Sequence, residues 1–273
     1  MMSNGKRARL LCVPLMSVCL LGAAVRASAQ TASPAENKVL PGEQAAGSSS
    51  VLLPGTAFSS LFGDTIRDFR RLPSRDTIKW LGIGALFAAA GHSVDRPVSR
   101  GLFTASRLGD VFGPGQTIGG ARLQFGGAAA TYAIGRIARS PKVALVGADL
   151  LHAQIMAQTL TSAVKLSVRR TRPDGARYSF PSGHASVTFA SATVLQRDLG
   201  WKVGIPAYGV ATYVAASRIQ DGRHFLSDVT FGAILGIVAG RTVTVGRGAA
   251  RFALAPVATS GGAALSLTWV GRQ

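Results

Sequence analysis

Three short polar clusters divide the apolar second half of the 273-residue chain, and their positions limit how it can fold. The clusters are Lys165 to Pro173, Pro181 to His184 and Ser217 to Asp228. Apolar segments of helical length flank them, and such helices must bury their apolar faces against one another. Because the connections are short, the pattern predicts an all-α bundle of about six helices with the active site at the helix ends.

Six segments carry the helical pattern, and a shorter amphipathic segment precedes them. The six are residues 78–94, 117–137, 143–164, 184–195, 203–216 and 226–245. In residues 59–71, Leu61, Phe62, Ile66 and Phe69 recur at helical spacing among charged residues. We expect this segment to form a helix that packs on the domain rather than one that lies on a membrane surface.

Both ends of the chain differ from the helical region. Residues 1–29 resemble a secretory signal peptide, with three early cations, an apolar run and a small-residue cleavage site; an uncleaved membrane anchor is the alternative. Residues 30–57 are predicted to be a flexible leader. The helical domain then covers residues 58–248, with its motif core at 143–245. The tail, 249–273, contains two partly alternating runs around Thr259 to Gly262, which predict a short β-hairpin.

Composition limits the partners and the compartment. Cys12 and Cys19 both lie in the signal segment, so a mature chain would lack disulfides and thiolate metal sites. The formal net charge of +18 favours anionic partners such as phosphorylated lipids or metabolites. Export to the cell envelope argues against nucleic acid, as does the lack of basic runs interleaved with aromatic residues.

The relation of the helices to the membrane has two interpretations. A mean hydropathy of +0.28 lies between values typical of soluble and membrane chains. If all three segments before Lys165 crossed the bilayer from an exported N-terminus, the clusters would face the cytoplasm. A periplasmic site therefore requires that one segment does not cross, and Arg122 makes residues 117–137 the best candidate. A periplasmic bundle that contacts the membrane without crossing it is the other interpretation.

The first two clusters supply cations and a helix start. Lys165 and Arg172 are seven residues apart, which on one helix places both side chains on nearly the same face, with Pro173 ending the helix. Ser182 is suited to cap the helix that follows it, and the free N–H groups around Gly183 form an anion site that His184 would face. Taken alone, each cluster also fits an ordinary basic helix end or a capped helix with a surface histidine.

The third cluster supplies a second imidazole with a carboxylate. Gly222 permits a chain break after Arg218, and His224 and Asp228 then stand four apart on the next predicted helix. A carboxylate in that position fixes the imidazole tautomer and supports the positive charge that develops when the imidazole attacks. By itself such a pair is more often found on a protein surface, so its significance comes from the other two clusters.

Together the clusters resemble the signature of the superfamily of type-2 phosphatidic acid phosphatases and vanadium-dependent haloperoxidases. That signature is Lys-x6-Arg-Pro, then Pro-Ser-Gly-His, then Ser-Arg-x5-His-x3-Asp, and the chain has every fixed position between Lys165 and Asp228. The resemblance implies a helical core over about residues 143–245. It does not extend to the first 140 residues or to the tail.

The resemblance also implies roles for individual residues. His224 would be the nucleophile that forms a phosphohistidine, Asp228 would orient it, and His184 would be the general acid. A second group of residues would hold the phosphoryl oxygens: Lys165, Arg172, Ser182, Gly183 and Arg218. The reaction would require no metal or other cofactor. His92 and His152 lie outside the signature, and we expect each to be packed or locally hydrogen-bonded.

The expected activity is hydrolysis of phosphate mono- or diphosphate esters of lipids, such as phosphatidic acid, a polyprenyl pyrophosphate or a lipid A headgroup. A soluble periplasmic acid phosphatase of broad specificity is the alternative. A vanadate-dependent haloperoxidase and a non-catalytic protein that binds anionic lipid are weaker hypotheses. Residues 95–116 and 174–180 are predicted to form the entrance that selects the substrate.

Overall fold

The computed structural model describes residues 58–104, 109–245, 251–259 and 262–270. The predicted signal peptide and leader lie outside these residues. The described part confirms the all-α class and contains nine α-helices rather than about six. They are α1 (Phe58–Arg71), α2 (Arg75–His92), α3 (Asp95–Thr104), α4 (Gly109–Ile118), α5 (Ala121–Ile137), α6 (Pro141–Val168), α7 (Gly183–Leu199), α8 (Trp201–Gln220) and α9 (Leu226–Val243).

Two of the additional helices, α3 and α4, lie where the sequence predicts the substrate entrance, residues 95–116, for which no helix was predicted. Both contain only ten residues and carry proline or glycine, which are typical of turns and loops in a sequence. Pro114 lies inside α4, between two glycines. The break that was not predicted comes at Gly119 and Gly120, where the segment expected from residue 117 divides into the end of α4 and the start of α5.

The core forms where α6, α7 and α9 meet. Met156, Val194 and Ala239 are fully buried there, and α2, α5 and α8 pack around this centre. The helices approach closely because small residues line the contacts. A Cβ on Gly236 of α9 would lie 2.2 Å from the carbonyl oxygen of Ser186 on α7. This close approach packs the middle of α9 against the first turn of α7.

The amphipathic helix α1 packs on the domain through one face only. Asp68 is buried, with Oδ2 3.3 Å from His152 Nδ1 on α6, and Phe69 packs against the core. The opposite face exposes Phe62, which is 78% accessible, and Ile66. The helix was therefore predicted correctly, and it also presents apolar side chains to the surroundings.

The predicted C-terminal hairpin is present. Strand β1 (Arg251–Thr259) pairs antiparallel with β2 (Gly262–Val270), and Leu254 lies opposite Leu267. The two strands cover the two partly alternating runs of the tail.

Two of the described helices, α6 and α9, are long and apolar enough to cross a membrane. In each, 61% of the apolar window is buried inside the protein. Both therefore serve as core helices of the bundle. The segment that contains Arg122 does not meet the same criterion, and Arg122 itself is exposed on α5.

Candidate active site

Lys165 lies in the last turn of α6 and points toward the loop that follows. Its Nζ donates to the Tyr178 carbonyl oxygen at 2.8 Å. The helix ends at Val168, because Arg169 adopts a left-handed φ of 52° and its N–H donates to the Lys165 carbonyl. The prediction that Lys165 and Arg172 share one helical face was therefore wrong. Arg172 lies in the loop, in a turn closed by its N–H and the Ala176 carbonyl.

Ser182 caps α7, as its sequence context predicted. Its Oγ accepts the Ala185 N–H at 3.5 Å, and its own N–H donates to the Asp228 carbonyl at 2.9 Å. Gly183 and His184 are the first two residues of the helix, and both are partly accessible. The second and third clusters are therefore in direct contact at the adjoining starts of α7 and α9.

His224 lies in the connection between α8 and α9, two residues before α9 begins. Gly222, with a φ of 66°, permits the chain to turn there, and the His224 N–H donates to the Arg218 carbonyl at 3.2 Å. The prediction that His224 and Asp228 stand on one helix was wrong. They still meet, because Asp228 reaches back over the helix start: His224 Nδ1 is 3.7 Å from Asp228 Oδ2, and both residues are buried.

The Asp228 carboxylate is held by three other groups. Oδ2 accepts the Phe225 N–H at 2.8 Å and a hydrogen bond from Ser179 Oγ. Oδ1 accepts from the guanidinium of Arg170 at 2.8 Å. Charge-assisted hydrogen bonds of this kind fix both the orientation and the ionised state of a carboxylate.

The two imidazoles are both biased toward the neutral form. The pKa of His184 is lowered to about 4, mainly by burial and in addition by Arg218, His224 and Lys165, and a hydrogen bond with the Gln116 main chain partly opposes the shift. These effects require the positive side chains to lie close to the ring.

Burial also lowers the pKa of His224. The neighbouring Asp228 opposes this shift, whereas Lys165 and Arg172 add to it. The structure therefore brings both predicted histidines and all three predicted cations into one electrostatic environment.

Two of these cations each have a buried N–H group for which the described residues provide no hydrogen-bond acceptor. Arg218 is only 4% exposed; one of its terminal nitrogens donates to Asp221 Oδ2 at 2.7 Å, and its Nε has no partner. Arg172 Nε is buried without a partner as well. Because a buried unsatisfied N–H is costly, these positions favour an anionic acceptor.

The lowered pKa values predict how chemical modification depends on pH. An imidazole with an ordinary pKa of about 6.5 becomes roughly tenfold more neutral between pH 5.5 and 7.5, and diethyl pyrocarbonate attacks only the neutral ring. Since a pKa of about 4 leaves His184 already neutral at pH 5.5, the rate constant for inactivation through His184 should change less than about twofold across this range. The loss of phosphatase activity with time, corrected for hydrolysis of the reagent, gives this rate constant. A tenfold rise would show that the reacting imidazole has an ordinary pKa.

Several residues around the site were not singled out from the sequence. Gln116 and Gly119 approach His184 from the α4–α5 corner, where a Cβ on Gly119 would lie 3.0 Å from the ring. Tyr178 and Ser179 hold Lys165 and Asp228, although their segment was expected only to shape the entrance. No local pattern connects these residues with their partners, because the contacts join separate parts of the chain.

His92 and His152 are not signature residues. His92 is exposed, with Nδ1 3.3 Å from Asp95 Oδ2 and 3.3 Å from a terminal nitrogen of Arg170, and His152 is buried against Asp68. Arg170, another arginine of the first cluster, lies between two buried carboxylates, Asp95 and Asp228.

Comparison with known proteins identifies the family. The profile of the PAP2 superfamily matches residues 147–251, which contain all three clusters. Over 180 residues the chain is 34% identical to decaprenylphosphoryl-5-phosphoribose phosphatase of Mycobacterium tuberculosis, a match that covers 62% of this chain and 93% of that protein. The chain belongs to the PAP2 superfamily. Membership assigns it to the phosphate ester hydrolases of the phosphatidic acid phosphatase type.

Two further relatives extend the comparison of this PAP2 protein. Lipid A 1-phosphatase of Porphyromonas gingivalis is 41% identical over 85 residues, which is 30% of this chain but only 19% of that protein. The crystal structure of a transmembrane PAP2-type phosphatidylglycerolphosphate phosphatase from Bacillus subtilis has a TM-score of 0.50 and 21% identity, and the match covers 68% of this chain and 93% of that one. The structural likeness supports the shared fold.

Proposed function

We propose that this PAP2 protein is a metal-independent phosphatase that hydrolyses phosphate mono- or diphosphate esters of lipids through a phosphohistidine at His224. The observation that carries the proposal is the environment of His224. The ring is buried, burial lowers its pKa, Asp228 lies 3.7 Å from its Nδ1, and cations with free donors lie nearby. A neutral imidazole whose far nitrogen is directed toward bound phosphate is a suitable nucleophile.

The first step transfers the phosphoryl group to the enzyme. His224 Nε2 attacks phosphorus, the N–P bond forms, and the bond to the ester oxygen breaks. Lys165, Arg172 and Arg218 neutralise the charge on the remaining oxygens, supplemented by Ser182 and the Gly183 N–H at the start of α7. These fixed cations take the part that divalent ions play in other phosphatases.

His184 transfers a proton in both steps. It protonates the departing oxygen, and it then accepts a proton from the water that attacks phosphorus and breaks the N–P bond, which releases inorganic phosphate. Its pKa of about 4 describes the pocket without phosphate. A bound phosphate adds negative charge that raises this pKa, and a substrate monoanion brings the required proton with it.

The lipid character of the substrate is supported by the relatives and by the surface. Two relatives are named as phosphatases of lipid A and of a decaprenyl phosphate compound. On α2, Ile78, Leu86 and Phe87 are strongly exposed. Apolar side chains in such positions favour contact with a bilayer, where lipid phosphates are found. We place the protein in the cell envelope, with the site on the periplasmic face.

Phosphate release by the purified protein tests this function. The panel is phosphatidic acid, an isoprenoid diphosphate, a lipid A-type 1-phosphate and a small soluble ester, each with and without a chelator. We expect kcat/KM at least about tenfold higher for one of the lipids than for the soluble ester, because binding of the lipid chain contributes to transition-state stabilisation. The chelator should have no effect, and vanadate should inhibit.

The contrary outcomes are distinct. Equal activity on the soluble ester, with release from cells by osmotic shock alone, would indicate a soluble phosphatase of broad specificity. Loss of activity with the chelator would contradict metal independence. Halide oxidation that appears on addition of vanadate and peroxide would indicate haloperoxidase chemistry in the same pocket.

A further inference from the structure

Arg170 has a different environment from the other arginines of the first cluster. One terminal nitrogen donates to Asp228 Oδ1 at 2.8 Å and to Ser227 Oγ at 2.7 Å, and the other donates to Asp95 Oδ2 at 2.8 Å. The guanidinium carbon also lies 4.2 Å from the centre of the Phe225 ring. Arg170 is therefore occupied by protein groups, whereas Arg172 and Arg218 keep buried donors that are available to phosphate.

Asp95 holds this arrangement from a separate helix. It is 1% exposed at the start of α3. Its Oδ1 accepts the Ser227 N–H at 2.8 Å, and its Oδ2 accepts Ser227 Oγ at 2.6 Å in addition to Arg170. We call Asp95, Arg170, Ser227 and Asp228 the Arg170 bridge. The bridge ties α3, the loop after α6 and the first turn of α9 together.

The charges explain why the bridge matters for Asp228. Two buried carboxylates share one guanidinium, and a planar guanidinium can bond to both at fixed angles. Without Arg170, both carboxylates would be buried beside each other with their main positive partner lost. Asp228 would then keep only its donors on Oδ2, and it would be free to rotate away from His224.

We propose that Arg170, held in place by Asp95, is a positioning residue that fixes the Asp228 carboxylate and through it the orientation and tautomer of His224. This inference rests on the proposed function, in which His224 is the nucleophile. It assigns Arg170 a role in the rate of phosphoryl transfer and no role in phosphate binding. Neither Arg170 nor Asp95 is among the fixed positions of the signature set out above.

The test compares Arg170→Gln with Arg169→Gln. The two substitutions remove the same charge from adjacent positions, and Arg169 is exposed at the end of α6, where its Nε donates to the Leu166 carbonyl. We expect Arg170→Gln to lower kcat about 10- to 100-fold, as is typical when a residue that orients a functional group is removed. KM and competitive inhibition by inorganic phosphate should stay within about twofold, and Arg169→Gln should match wild type.

Two further measurements separate positioning from a structural role. Guanidinium ion at millimolar concentration should restore part of the kcat of Arg170→Ala, whereas a destabilised fold would lose activity in guanidinium. Arg170→Lys keeps the charge but cannot bond to both carboxylates in the same plane, so its kcat should lie between those of wild type and Arg170→Gln. In the double variant Asp95→Asn/Arg170→Gln, the losses should be less than additive.

The outcomes that overturn the inference are separate from those that overturn the function. If His224→Gln abolishes activity and Arg170→Gln keeps wild-type kcat, the positioning role is wrong and the proposed function stands. A loss that appears in KM and phosphate affinity, or that guanidinium does not rescue, also overturns the positioning role. If His224→Gln keeps full activity, the proposed function itself fails.

Discussion

Replacing His224 with alanine should lower kcat for phosphate release at least about 10⁴-fold, the largest loss that we expect from any single substitution. The reason is that the proposed covalent route proceeds through His224 Nε2, and loss of a nucleophile leaves only binding and electrostatic stabilisation. His224 is 3% exposed, and Asp228 and the surrounding cations define its environment. Release of inorganic phosphate from the best substrate of the panel measures the effect.

The control for this substitution is phosphate binding. Lys165, Arg172 and Arg218 remain in His224→Ala, so inorganic phosphate should still bind within a few fold of wild type. With ³²P-labelled substrate and rapid quenching in alkali, wild type should retain alkali-stable, acid-labile label on the protein, and the variant should retain none. Full phosphate release by His224→Ala would exclude the phosphohistidine route. It would show that His224 has no catalytic role in this protein.

The long helices were predictable because a helix that buries one face repeats its apolar residues with the helical period, and this repeat is visible in the sequence. The six long segments correspond to α2, α5, α6, α7, α8 and α9, and each contains a continuous apolar pattern. The pattern fails at α3 and α4, which are short and contain proline and glycine. Their helical state depends on packing against α8, which a local window does not contain.

The composition of the site was also predictable, but its geometry was not. Residue types and spacing were enough to collect two histidines, one aspartate and three cations. Spacing on an assumed helix placed Lys165 with Arg172 and His224 with Asp228, and in both cases the helix boundary lies between the partners. Those boundaries are set by tertiary contacts. The left-handed turn at Arg169 precedes Arg170, whose partner Asp95 is 75 residues away in the chain.

The difference between Arg170 and Arg172 shows what sequence alone lacks. Both are loop arginines of one cluster; the signature gives Arg172 a fixed position but does not indicate what Arg170 contacts. In the structure one is paired with two buried carboxylates and the other keeps a buried Nε without a protein acceptor in the described residues. Their proposed roles, positioning in one case and phosphate binding in the other, follow from this difference in partners.

Replacing His184 with alanine should reveal its role through the leaving group. For an alkyl phosphate, departure of the alkoxide needs the proton that His184 supplies, so kcat should fall about 10²- to 10⁴-fold with no burst of alcohol. With p-nitrophenyl phosphate the phenolate leaves without protonation, and the variant should release about one equivalent of nitrophenol rapidly. Turnover should then be slow, because hydrolysis of the phosphohistidine lacks its general base.

The same substitution also tests whether the two histidines act in sequence on one phosphoryl group. In the double variant His184→Ala/His224→Ala the burst should disappear, because no phosphohistidine can form. Stopped-flow absorbance of nitrophenol and the amount of protein-bound label should agree in stoichiometry. Equal losses of His184→Ala on both substrates, without a burst on either, would contradict a proton-transfer role. The low pKa of His184 would then reflect only its burial among cations in a phosphate-binding wall.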